Sequence, residues 1–223
     1  MNFASRVTLG VTLVGLAALG GVLTHRLTRP RATLQPGTAA VLPARAARPE
    51  PARTIPMVLP DLTLPDANGI AHRLSDWAGH PLVVNFWATW CEPCRREIPL
   101  LIRLRHERAA RGVAIVGIAI DFRAAVVKYA AAAAIDYPLL IGEDAGLKTV
   151  DAFGMQLVFP FTVFADREAR VVAVKVGELH QDEADFILDR VEDIDRGSLT
   201  LAAAREAIAA RLRDLAVQRA KHA

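Results

Sequence analysis

Cysteine is nearly absent from this sequence: its 223 residues hold two, Cys91 and Cys94. So few exclude the disulfide framework that staples small secreted domains. They also exclude a structural zinc centre, because no second Cys pair or His-x-His cluster could complete four ligands. Covalent c-type haem attachment needs Cys-x-x-Cys-His, and Arg95 follows the second cysteine. The sequence also lacks a basic excess where a nucleic-acid partner would need it. Seven of its 27 Lys and Arg, and one of its 24 Asp and Glu, fall in residues 1–53, so the remainder is mildly acidic. A basic tail on an acidic domain argues against a nucleic-acid-binding face. What is present is apolar: 52% hydrophobic residues suffice for one domain core without staples.

Residues Val7 to Leu23 form an uncharged, mostly apolar run preceded by Arg6 and followed by His25, Arg26, Arg29 and Arg31. Residues 1–29 therefore read as a membrane anchor in preference to a cleaved signal. Glycines 10, 15, 20 and 21 suit a membrane helix better than a soluble one. Counted alone, the flanking charges would place the following domain inside. Large domains translocate largely regardless of such charges, and the cysteine chemistry below favours the outer side. The expectation is a single-pass protein of the inner (cytoplasmic) membrane with its domain facing the periplasm or cell exterior. Residues 30–56, with Pro30, Pro36, Pro43, Pro49, Pro51 and Pro56 among Ala and Arg, read as an extended linker.

Alternating signals fill residues 57–195. Two short apolar stretches around Asp66-Ala67-Asn68-Gly69 predict a hairpin within 59–74. The run PLVVNFW, Pro81 to Trp87, predicts a buried strand. A helix from Cys91 to Arg111 ends at Gly112. A strand over 113–120, an alanine-rich helix over 123–135, a short strand over 137–141 and a helix over 145–153 follow. Strands over 161–165 and 171–176 join through Asp166-Arg167-Glu168, and a helix covers 181–194. This α/β order implies a central mixed sheet flanked by helices. Residues 196–223 carry a helical stripe of Leu201, Ile208, Leu212 and Leu215, read as a helical extension docked on the domain, with a partner-binding or frayed tail as the alternative.

The chemistry centres on Trp90-Cys91-Glu92-Pro93-Cys94. A strand ends at Trp87 and a helix begins near Cys91, so free backbone N–H groups and the helix dipole favour a thiolate there. Cys94, one turn on, faces the same side and should lie deeper. Pro93 fits the first turn, where a missing N–H does no harm. The arrangement predicts thiol–disulfide exchange, with Cys91 exposed and attacking and Cys94 sheltered and resolving. A plain structural disulfide is the competing reading, weakened by how little so short a loop would stabilise.

The stretch VVNFWATWCEPCRREIP, Val83 to Pro99, resembles the active-site segment of the TlpA/ResA/DsbE-like proteins of thioredoxin fold. The likeness runs from about Met57 to Ile194 and includes the N-terminal β-hairpin and the inserted helix–strand element near 123–141. It implies a membrane-anchored reductant of extracytoplasmic protein disulfides, in some members serving cytochrome c maturation. It further implies a thiol-type electron donor in the membrane and no cofactor beyond the Cys91–Cys94 disulfide. By the same resemblance Trp87 and Trp90 flank the site. Pro160 matches the family's cis-proline, and Phe159, before it, offers backbone hydrogen bonds to a bound strand; an ordinary strand-entry proline is the alternative for Pro160. Asn85 stands where ordinary thioredoxins bury an Asp, and Glu97 matches an acid of the ResA-like branch. Partly buried beside a thiol, Glu97 would have a raised pKa suited to moving a proton; a solvated first-turn acid is the alternative. Glu92 is expected to be exposed. Phe159 and Phe161 predict a bulky apolar rim. A dithiol oxidant, a peroxiredoxin-like peroxidase, and a metal chaperone or holdase remain as rival functions.

Overall fold

In the computed structural model the described residues are 54–221 apart from Asp144; the expected anchor and most of the linker lie outside them. The strands are β1 (Thr63–Pro65), β2 (Ala71–Arg73), β3 (Leu82–Trp87), β4 (Ala114–Ala119), β5 (Leu139–Ile141), β6 (Phe161–Ala165) and β7 (Val171–Val176). The helices are α1 (Glu92–Arg108), α2 (Arg123–Ala132), α3 (Gly146–Ala152), α4 (Gln181–Asp195) and α5 (Leu201–Ala220). Among the described residues, no helix is long and apolar enough to cross a membrane.

Strands β1 and β2 make a small antiparallel sheet of their own, and the other five line up in the order β5-β4-β3-β6-β7. β3 pairs parallel with β4 and antiparallel with β6. All six residues of β3 are buried, as expected for a central strand covered on both faces. Its side chains alternate between the two sides of the sheet. Leu82, Val84 and Phe86 pack with Leu64, Leu74, Phe153, Phe161 and Val163. Val83 packs with Leu101 and Leu104 of α1 and Ile187, Leu188 and Val191 of α4.

Local chemistry explains the boundaries. The hairpin turn forms because one Asp66 oxygen accepts the N–H groups of Asn68 and Ile70, both at 2.8 Å, while Gly69 takes φ +83°. The hairpin strands are shorter than the sequence suggested, since Leu74–Trp77 coils into a tight helical turn. Helix α1 gives way to another such turn over Ala109–Arg111 and stops at Gly112, φ +74°. Helix α2 ends at Ala132, three residues before its expected limit, and Ala134 turns the chain at φ +51°.

Helix α5 is held on the domain by both apolar and charged contacts. Ala204, Ile208 and Leu215 are buried, and Ala204 and Ile208 join the cluster of Ile187 and Val191. Arg205 donates to the Val171 carbonyl of β7, and Arg219 donates to buried Glu183 at 2.7 Å. Truncating Ile208 to Ala would leave a cavity under this helix, and a loss of about 2–4 kcal/mol is expected. Urea denaturation checks this; a loss below about 0.5 kcal/mol would mean that α5 does not contribute to the core.

Candidate active site

Strand β3 delivers the chain to one end of the sheet, and a short turn over Ala88–Cys91 leads into α1. The Cys91 N–H closes that turn on the Ala88 carbonyl at 3.2 Å. Cys91 is the N-cap of α1, and its Sγ accepts the Cys94 backbone N–H at 3.3 Å. Cys91 and Cys94 are joined in a disulfide, with Cα atoms 5.3 Å apart. Once the bond is reduced, the same N–H and the dipole of α1 stabilise a Cys91 thiolate. Pro93 sits in the first turn as expected.

Exposure differs from the sequence reading. Cys91 is 5% exposed and Cys94 0%, so the order is as expected but Cys91 is not open to solvent. In the oxidised protein each sulfur is covered by the other and by the cluster of Trp87, Ala88, Ile98, Ala119 and Val126, with Phe159 packed against it. Trp87 is wholly buried in that cluster. Trp90 is 65% exposed and meets the Phe159 ring edge-on at 6.0 Å. The Phe159–Pro160 peptide bond is cis. Phe161 departs from expectation: it is fully buried and stacks on Phe86 at 4.2 Å. As the first residue of β6 it points to the sheet face away from α1, so the apolar rim holds Phe159 and Trp90 but not Phe161.

Glu97 is 1% exposed, which rules out the solvated alternative. Its Oε1 accepts the Asn85 side-chain amide at 2.7 Å, and its Oε2 accepts the Leu179 backbone N–H at 2.6 Å. Burial pushes its pKa up to about 7, against the two N–H donors, which favour the ionised form. Asn85 is buried in β3 and also donates to Thr162 Oγ at 3.0 Å. Thr162 and Leu179 were not singled out from the sequence; Thr162 lies on β6 two residues after Pro160, a spacing that could have flagged it. Thr89 and Asp121 were missed too, although they stand at the ends of neighbouring strands. Glu92 is exposed and pairs with Arg96 at 3.1 Å. Among the described residues, no three His, Cys, Asp or Glu side chains gather as a metal-ligand set.

A lone cysteine pair closed as a disulfide at a helix N-terminus, with Phe159 packed against it, fits a dithiol redox centre, and similarity to known proteins agrees. The Redoxin family model matches residues 56–188, more than half of the chain. The chain belongs to the Redoxin family. Thiol-disulfide oxidoreductase ResA of Bacillus subtilis (strain 168) is 31% identical over 121 residues, covering 54% of this chain and 66% of that protein. ResA of Geobacillus kaustophilus (strain HTA426) is 29% identical over 134 residues, covering 60% and 75%. A crystal structure of a thiol:disulfide interchange protein of the thioredoxin family from Chlorobium tepidum TLS superposes with TM-score 0.53 at 30% identity. That match covers 63% of this chain and 97% of the other. This Redoxin family member is thus a thiol:disulfide oxidoreductase of the TlpA/ResA/DsbE-like group, with a thioredoxin-like fold.

The raised pKa of Glu97 has a stability consequence. The folded protein holds a proton on Glu97 up to about pH 7, whereas the unfolded chain releases it near the ordinary value of 4.5. The stabilisation from that proton is full below about pH 4.5 and is lost as pH rises through about 7, a span of about 3 kcal/mol. Urea denaturation of oxidised wild type and Glu97→Gln across this range should show the wild type losing stability relative to the variant as pH rises. Parallel curves would refute the assignment.

Proposed function

We propose that this chain is a membrane-tethered reductant of protein disulfides outside the cytoplasm. The observation that carries the reading is the Cys91 sulfur, seated on the Cys94 N–H at the start of α1 and bonded to a second sulfur on the same helix turn. The apolar run of residues 7–23 supports the tether, and a pair with no other cysteine in the chain supports a couple that avoids wrong partners.

In the reduced protein the Cys91 thiolate attacks one sulfur of a client disulfide. A mixed disulfide forms, and the client's other sulfur leaves as a thiolate that takes up a proton from solvent. Cys94 gives its proton to Glu97, which lies one helical turn further along and is half-ionised near neutral pH. The Cys94 thiolate then attacks Cys91 Sγ, the second client thiolate leaves, and the Cys91–Cys94 disulfide is restored. Two electrons pass to the client, and a thiol-type donor in the membrane returns them. Asn85 holds the Glu97 carboxylate in place. Trp90, Phe159 and Pro160 receive the client segment next to its cysteine, while Trp87 backs the pair from the core. Apocytochrome c cysteines are one class of client that such a reductant would serve.

Two measurements test this reading. Cys94→Ser, expressed in intact membranes, should accumulate mixed disulfides through Cys91; their absence, or equal yields from the Cys91→Ser, Cys94→Ser double variant, would refute the assigned roles. The reduction potential should lie near the thioredoxin value of about −270 mV, whereas a value near about −120 mV would make the protein an oxidant.

A further inference from the structure

Asp121 follows β4, and its carboxylate is fully engaged. One oxygen accepts the Thr89 backbone N–H at 2.9 Å and also the Thr89 hydroxyl. The other accepts the Phe122 N–H at 2.7 Å. Thr89 lies two residues before Cys91, inside the turn that connects β3 to α1. Its carbonyl receives Arg95 Nη1 at 3.5 Å. The backbone leading into the N-cap is therefore gripped on one side by the β4–α2 connection and on the other by α1.

This grip adds to the cap itself. Cys91 is extended, φ −84° and ψ 106°, while the helix starts at Glu92. Its sulfur reaches the Cys94 N–H at 3.3 Å through a weak sulfur acceptor. Hydrogen bonds to a carboxylate are roughly twice as strong as neutral ones. The peptide leading into Cys91 is thus set from Asp121 at Thr89 as well as from the first turn of α1, where the Arg95 N–H donates to the Cys91 carbonyl at 3.1 Å.

We propose that Asp121 is a positioning residue for the thiol chemistry: by clamping Thr89 it holds the Cys91 sulfur over the N-terminus of α1. The inference rests on Cys91 being the attacking thiol. It makes a prediction of sign. A carboxylate acting through its charge would disfavour the thiolate, and its removal would lower the Cys91 pKa. A carboxylate acting as a clamp keeps the sulfur in the positive potential of the helix, and its removal raises that pKa. The other titratable or charged groups near the turn are Glu92, Arg95, Arg96 and Glu97 of α1 and Tyr129 of α2, which packs against the cysteine cluster, with Arg123 and Glu143 next to Asp121. Phe159, Pro160 and Phe161 from β6 and its approach carry no charge.

The experiment is the pH dependence of Cys91 alkylation by iodoacetamide in the reduced full chain, followed by mass spectrometry. In Asp121→Ala the midpoint should rise and the rate at pH 7 should fall about three- to tenfold, as expected for losing half to one unit of thiolate stabilisation. Asp121→Asn keeps an oxygen for Thr89 and should restore most of the rate. Thr89→Val loses the hydroxyl alone and should fall between, and it carries the test if Asp121→Ala does not fold. A midpoint that stays put or moves down in folded Asp121→Ala, or stays put in Thr89→Val, overturns the clamp. A wild-type midpoint equal to that of free cysteine would instead sink the function proposed above, so the two failures are distinguishable.

Discussion

A sulfur anion is favoured where positive potential reaches it, and in this protein the start of α1, with its dipole and the Cys94 N–H aimed at Cys91 Sγ, provides such a place. Everything nearby serves to bring a sulfur to that point and keep it there. β3 is buried on both faces and so cannot shift along its own axis without dislodging the core. The turn after it is closed by a backbone hydrogen bond. Helix α1 is pinned at its far end, where buried Arg108 reaches Asp185, Asp189 and Glu192 of α4. A redox centre of two sulfurs needs no moving parts beyond the sulfurs themselves when the frame is held at both ends.

The Glu97 carboxyl group belongs to the same economy of burial. Two N–H donors keep it from being fully neutral, and the surrounding core keeps it from being fully ionised. The donors come from β3 and from the segment between β7 and α4, so the group ties three parts of the fold to one protonation state. Asn85 suits this position because an amide can donate to a carboxylate without titrating itself. A second acid there would repel the first and push the two pKa values apart.

Much of this was legible in the sequence, for physical reasons that can be named. An apolar run ending in Trp-Cys-x-x-Cys marks a central strand feeding a helix, and the structure has both. Resemblance marked Pro160, whose preceding peptide bond is cis. The features that escaped depend on contacts between distant segments. Phe161 reads as a rim residue from its place beside Pro160, but strand alternation turns it into the core against Phe86. The end of α2 carries no glycine; Ala134 adopts the left-handed conformation instead, so no residue type announces the stop. The bond from Leu179 to Glu97 uses a backbone N–H, which any residue could supply. Thr89 and Asp121 lie 32 residues apart, and their pairing follows from the parallel register of β3 and β4.

The outer margins of the five-stranded sheet are partly capped. Next to β7, the Val171 N–H donates to the Met57 carbonyl, Val58 bridges Arg170, and Arg205 of α5 takes the Val171 carbonyl. On the other side β5 is three residues long, and Asp66 of the hairpin bridges Leu140. Strand edges left bare invite neighbouring molecules to zip onto them. With these segments in place, part of each outer ladder is already occupied, which shortens the edge that a second molecule could extend.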